Sequence, residues 1–212
     1  MPKIYFVEGN IGTGKSTFLK MIENLNNPEY QVIYEPVDVW TKFKDSTGKN
    51  ILQYFYEDPK RFAYTFQNTA FVSRVEKLKE IDPTKKAIFI ERSIWSDKNI
   101  FAKNCAQSGM MSEIEHMLYL KWFSWLEEHL NLQGDKHFVY LRCSPETSFE
   151  RMKKRNRNEE TGVSLEYLTQ IHNKHEEWLK DTIQSQNLII LNAEADFKSQ
   201  NVFEEYLSFV LS

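Results

Sequence analysis

The sequence predicts an α/β protein with a five-stranded parallel sheet covered by helices on both faces, and three observations predict it. Apolar runs of five or six residues recur between long helical stretches. The first run leads directly into a glycine-rich loop and a helix. The residues with the greatest chemical potential follow the runs, at the carboxyl ends of the strands, where open parallel sheets hold their ligands.

The first run, 4–8 (IYFVE), opens strand one and is followed by Gly9, Asn10, Ile11, Gly12, Thr13, Gly14, Lys15, Ser16 and Thr17, a complete G-x-x-x-x-G-K-S pattern. Glycines let successive backbone N–H groups turn toward a polyphosphate. Lys15 is placed to reach its outer phosphates and Ser16 to hold Mg²⁺, at the positive end of the next helix. A nucleoside triphosphate is the ligand this implies. The second run, 31–35 (QVIYE), ends in Glu35, and the third, 87–91 (AIFIE), in Glu91-Arg92-Ser93. Runs 137–142 (HFVYLR) and 187–191 (NLIIL) complete the sheet. No repeat, linker or low-complexity segment interrupts the alternation, so 1–212 reads as one domain.

Helix 112–130 begins with a Ser112/Glu115 capping-box pattern. It carries Met117, Leu118, Leu120, Trp122, Phe123, Trp125 and Leu126, too wide an apolar face for one side packed on its own sheet. Two readings stand: a deeply buried core helix, or a homodimer interface packed helix on helix.

A chain of 212 residues buries a substantial core without disulfides or a structural metal. The net charge of −3 supplies no global field for nucleic acid, so affinity for phosphate must be local and nucleic acid is not an expected partner. Cys105 and Cys143 lie far apart with no C-x-x-C or His cluster, and are expected to be reduced, partly buried thiols with no zinc site. Strand one starts almost at Met1, no signal segment is evident, and no apolar run approaches the length of a membrane span. The expectation is a soluble, cytoplasmic protein without membrane contact.

Four further segments are distinctive: Glu35-Pro36-Val37-Asp38-Val39-Trp40; Phe66-Gln67 with Ala70 and Arg74; Glu91-Arg92-Ser93 with Asp97; and Arg151-x-x-x-Arg155-Asn156-Arg157-Asn158-Glu159-Glu160. With the phosphate loop, and in this order, they resemble the deoxyribonucleoside kinases of the deoxycytidine/deoxyguanosine kinase family. The resemblance runs from strand one to Asp196-Phe197 and includes Leu52-Gln53, Tyr56-Glu57 and Glu166-Tyr167-Leu168. It implies a P-loop kinase fold, a three-layer sandwich with an Arg-rich lid, that transfers the γ-phosphate of ATP, with Mg²⁺, to the 5′-hydroxyl of a 2′-deoxynucleoside.

Such a transfer needs a positioned alcohol, a carboxylate to take its proton, and positive charge around the migrating phosphoryl group. The resemblance assigns the base to the carboxylate of the Glu91-Arg92-Ser93 motif, with a possible Mg²⁺ contact; Glu35, at the end of the adjacent strand, is a 5′-hydroxyl partner or alternate base. Arg92, Arg151, Arg155 and Arg157 would collect around the transferring phosphate, the last three on a helix-to-loop lid in which Asn156 stands where many relatives carry Gly. The donor nucleotide's side is implied to include Asp196 and Phe197, and Tyr56 with Glu160 match the pair that hydrogen-bonds the sugar 3′-hydroxyl. Phe66 offers a stacking face and Gln67 a donor and an acceptor for a base edge. Trp40, Leu52, Phe55 and Phe101 complete apolar walls, unless that aromatic cluster is simply core. Ala70, Arg74 and Asp97 match base-facing positions, and an Arg/Asp pair there resembles members that use deoxycytidine and purine deoxynucleosides in preference to thymidine.

Three rival readings are weaker. Asp45-Ser46-Thr47-Gly48 and Asn173-Lys174-His175-Glu176 mimic GTPase motifs, but the first follows a polar segment and the second lies inside a helical stretch, 165–184. A thymidylate-type monophosphate kinase would carry Arg where Tyr34 stands, before Glu35. A catalytically idle nucleotide-binding protein would have no need for intact Lys15, Ser16, Glu91 and lid arginines.

Overall fold

A computed structural model describes residues 1–180, 187–194 and 199–212. Strand β1 (Lys3–Glu8) leads through the glycine loop into α1 (Lys15–Asn24), then β2 (Tyr30–Ile33), α2 (Val37–Lys42), α3 (Ile51–Glu57) and α4 (Pro59–Leu78). After β3 (Ala87–Glu91), the short α5 (Ile94–Ser96) passes into a π-helical turn (Asp97–Ala102) and α6 (Lys103–Gln107). Next come α7 (Glu113–His129), β4 (Asp135–Arg142), α8 (Pro145–Arg155), α9 (Leu165–His175) with a π-helical extension (Glu176–Lys180), β5 (Leu188–Asn192) and α10 (Gln200–Leu211).

All strand pairs are parallel and the order is β2-β3-β1-β4-β5. Alternate residues of the central strands feed two apolar layers. Ile4, Phe6, Ile88, Ile90 and Tyr140 pack with Phe71, Tyr119 and Phe123 of α4 and α7, while Tyr5, Val7, Phe89, Val139 and Leu141 pack with Phe18, Leu19 and Ile22 of α1 and Phe203 of α10. Burial on both faces explains why the strands read as unbroken apolar runs.

The expected strands are all present: β3 spans the expected 87–91, and the other four have shifted ends. β2 stops at Ile33, so Glu35 lies past the strand rather than on it: pairing with β3 ends at Ile33↔Ile90, and Pro36 draws Glu35 into a turn closed by Val37 N–H donating to the Glu35 carbonyl at 2.8 Å. The Ser112/Glu115 capping box forms as expected. The deeply buried reading of helix 112–130 does not hold. Tyr119 and Phe123 face the core, but Ile114, Met117, Leu118, Trp122 and Trp125 are 45–60% exposed in the single chain. The GTPase-like Asn173-Lys174-His175 lies in α9, with His175 wholly buried, so it forms no base-reading loop. Residues 181–184 of the expected helical stretch lie outside the described residues.

Candidate active site

The carboxyl ends of β1, β2 and β3 open into a cavity of about 710 Å³ that runs from the phosphate loop to an aromatic pocket. Its floor is the loop. Gly9 (φ +145°) could carry no Cβ without meeting the Leu141 carbonyl at 2.7 Å, and Gly14 (φ +99°) turns the chain into α1. Asn10 Nδ2 ties the loop to the Leu168 carbonyl at 2.8 Å, and its Oδ1 accepts from Ile11 N–H at 2.8 Å. Lys15 Nζ folds back onto the carbonyls of Gly9 and Asn10 at 3.1 and 2.7 Å. Burial, reinforced by the Arg92 charge, pushes its ammonium down to about 7.

Ser16 Oγ donates to Glu91 Oε1 at 2.7 Å, so Glu91 faces the phosphate side. Glu35 lies on the other side, where Arg74 Nη2 and Arg92 Nε approach the same oxygen, Oε1, at 3.0 and 3.2 Å. Burial alone would raise its carboxyl, but Arg92, Arg74 and Lys15 outweigh it and hold Glu35 at about 2. Arg74 is the hub: Nε and Nη2 grip Asp97 Oδ2 and Oδ1 at 2.8 and 3.1 Å, and Nη1 donates to the Glu91 carbonyl at 3.4 Å. The guanidinium of Arg92 lies 4.7 Å from the centre of the Phe101 ring.

Phe55 and Phe66 stack at 4.8 Å, Trp40 meets Phe66 edge-on at 5.3 Å, and Leu52, Gln67, Ala70 and Tyr56 close the pocket. The π-helical turn brings both Asp97 and Phe101 to this wall. Trp40, Leu52, Phe55 and Phe66 belong to the core cluster and line the cavity as well, so the two readings of the aromatics coexist.

On α8 and the turn after it, Arg155 Nη2 and Arg157 Nη1 reach Glu160 at 2.6 and 3.1 Å. Glu160 is therefore occupied by arginines, and burial first, then the Glu160 charge, raises the Tyr56 phenol. Arg151 lines the cavity with Arg155 and Arg157, and its Nη1 and Nη2 donate to the carbonyls of Ala193 and Glu194 at 2.6 and 3.2 Å. Those carbonyls follow β5, which among the described residues pairs with β4 alone. Asn156 takes the left-handed conformation (φ 54°) that ends α8, which accounts for a residue able to stand in for glycine there. Asp196 and Phe197 lie outside the described residues.

Sequence reasoning missed Glu8, Lys154 and Tyr167. Lys154 and Tyr167 line the cavity. Glu8, fully buried, accepts from Ser93 N–H at 2.8 Å and holds the turn in which Arg92 adopts φ +63°. A charged residue ending an otherwise apolar strand was the available signal for it. Tyr34 donates to Glu23 Oε2 at 3.1 Å, so this position makes no phosphate clamp of the monophosphate kinase kind.

A parallel sheet whose first turn is a phosphate loop, joined by a carboxylate-and-arginine cluster to an aromatic pocket, defines a nucleotide-dependent phosphotransferase. The family model for deoxynucleoside kinase matches residues 5–209. A protein named deoxycytidine kinase 2 from Gallus gallus is 37% identical across 95% of this chain and 86% of its own length. Deoxycytidine kinase from Homo sapiens is 37% identical across 92% and 85%, and mitochondrial deoxyguanosine kinase from Xenopus laevis 34% across 95% and 85%. The chain belongs to the deoxynucleoside kinase family, and its function is that of a nucleoside-salvage kinase. Among the described residues, no helix is long and apolar enough to cross a membrane.

Proposed function

We propose that the enzyme transfers the γ-phosphoryl group of ATP to the 5′-hydroxyl of deoxycytidine and of purine deoxynucleosides, in preference to thymidine. One observation carries this reading: a single cavity joins the phosphate loop to the Phe66–Gln67 pocket, with Glu35 and Glu91 between them. Lys15 and the loop amides receive the donor's phosphates. Ser16 and Glu91 offer the paired oxygen donors that would hold Mg²⁺, which when bound neutralises phosphate charge.

We assign the hydroxyl to Glu35 and the metal side to Glu91, reversing the sequence-based order. Glu91 is engaged by Ser16, whereas Glu35 is kept ionised by two arginines that share one of its oxygens. In a loose phosphoryl-transfer transition state the proton leaves late, so orientation of the acceptor outweighs its basicity. Arg92, Arg155 and Arg157, now paired with Glu35 and Glu160, would exchange those carboxylates for phosphate oxygens as the lid closes. Arg151 supports the lid helix by tying it to the end of β5. Tyr56 and Glu160 hold the sugar 3′-hydroxyl, Phe66 stacks on the base and Gln67 reads its edge.

The Arg74–Asp97 pair supports the exclusion of thymidine. Both groups are buried and bidentate, and the 5-methyl of thymine would have to displace part of that pair. Steady-state kinetics with deoxycytidine, deoxyadenosine, deoxyguanosine and thymidine under ATP and Mg²⁺ test the reading: thymidine as the best substrate refutes it.

We infer further that 1–212 acts as one kinase domain and as a homodimer through α7. Trp122 and Leu126 of α7 line a shallow groove with Tyr64, Asn68 and Val72 of α4, and Met117 and Trp125 of α7 are also exposed, so the two helices together offer a mixed face rich in large apolar groups. A cytoplasmic site of action is part of the proposal and rests on two unpaired, buried thiols.

A further inference from the structure

Behind the base-facing wall lies a contact that the proposed chemistry does not use. Gln67 Nε2 donates to Cys105 Sγ at 3.8 Å, within hydrogen-bonding range for sulfur. Both side chains are buried, and Cys105 sits on α6, directly after the π-helical turn that carries Asp97 and Phe101. Burial pushes the thiol up to about 12, so it retains its proton at any working pH and can donate as well as accept.

A primary amide sets one acceptor beside one donor, and half a turn about its last bond exchanges them. Cytosine and adenine present a ring-nitrogen acceptor next to an amino donor. Guanine presents a ring N–H donor next to a carbonyl acceptor. Reading both patterns requires the Gln67 amide in both orientations, and each orientation turns a different atom toward Cys105, Nε2 in one and Oε1 in the other. An aliphatic neighbour would satisfy neither, and a fixed acceptor only the first. A thiol satisfies both.

We propose that Cys105 is a specificity-determining residue: by accepting from Gln67 Nε2 or donating to Gln67 Oε1, its side chain lets one amide read both edge patterns and so widens the range of bases the kinase takes. This rests on the reading of Gln67 as the base-reading amide. The test is KM and kcat for deoxyadenosine and deoxyguanosine, two purines of similar size with opposite patterns. In Cys105→Val and Cys105→Ala both KM values rise about tenfold, because either orientation leaves a buried amide group unpaired. kcat stays within about threefold, since the reacting groups are untouched. Cys105→Ser, which also accepts and donates, keeps both KM values within about twofold of wild type. Unchanged KM values for either purine in both apolar variants overturn the proposal, as does a Cys105→Ser rise equal to theirs. A Gln67→Leu variant with both KM values unchanged would overturn the reading of the pocket itself, a result distinct from a silent Cys105.

Discussion

Lys15 is buried among Arg92, Glu91 and Glu35, and its free-state value of about 7 makes its charge conditional on a ligand. At pH 8 the side chain is mostly neutral; a bound triphosphate restores its affinity for a proton. Binding of ATP is therefore expected to take up as much as about one proton near pH 8, and progressively less below pH 6, where Lys15 is already charged. Calorimetry in buffers of different ionisation enthalpy measures this, and Lys15→Met removes it. The two carboxylates separate by the same kind of reasoning. Glu35→Gln should lower kcat by roughly 10²–10⁴ with nucleoside Kd little changed. Glu91→Gln should act mainly by raising the Mg²⁺ concentration needed for half-maximal rate. A larger kcat loss in Glu91→Gln, at saturating Mg²⁺, would restore Glu91 as the base. Arg74 grips Asp97 with two nitrogens and Glu35 with one of the same pair. The double change Arg74→Met with Asp97→Ala should raise kcat/KM for thymidine relative to deoxycytidine, and an unchanged ratio counts against the steric account.

At the scale of elements, α7 carries the sharpest expectation. Trp125 is half exposed on a face that also shows Trp122 and Met117, and Trp125→Glu should yield monomers by sedimentation while retaining the thermal transition. A wild-type monomer at micromolar concentration contradicts the interface. What sequence could read here followed from which forces are local. The capping box of α7 and the phosphate loop of α1 are set by neighbours in the chain, and both were legible. The two readings of α7 were not separable, because a wide apolar stripe looks alike whether it meets the same chain or another. The fate of Arg151 was hidden too: its partners, the carbonyls of Ala193 and Glu194, are distant in sequence and carry no side-chain signal. The same holds for the Glu8–Ser93 bond, which spans 85 positions. Strand ends were misjudged where Pro36 and a short partner strand decide them, as at Glu35.

For the whole molecule, the parallel order β2-β3-β1-β4-β5 places the first strand at the centre. This was legible as a class from the alternation of apolar runs and helices, though not as an order, since register depends on contacts far apart in the chain. β1 pairs with β3 through Lys3↔Ala87 and with β4 through Lys3↔Asp135. The order of manufacture therefore differs from the order of assembly. As the chain leaves the ribosome, β1 emerges first, yet its second edge has no partner until Arg142 has been added, and β5 must then close the outer edge of β4. A nascent chain in this interval carries Ile4, Phe6 and Val7 on a strand with one edge unpaired, the kind of surface that chaperones hold. A fragment ending at residue 134 lacks β4 and should show no cooperative thermal transition by circular dichroism, whereas a fragment that folds would mean that β1, β2 and β3 form a stable unit alone. Synthesis paused shortly before β4 should for the same reason leave the protein sensitive to protease along its whole length, with resistance arriving late and nearly all at once.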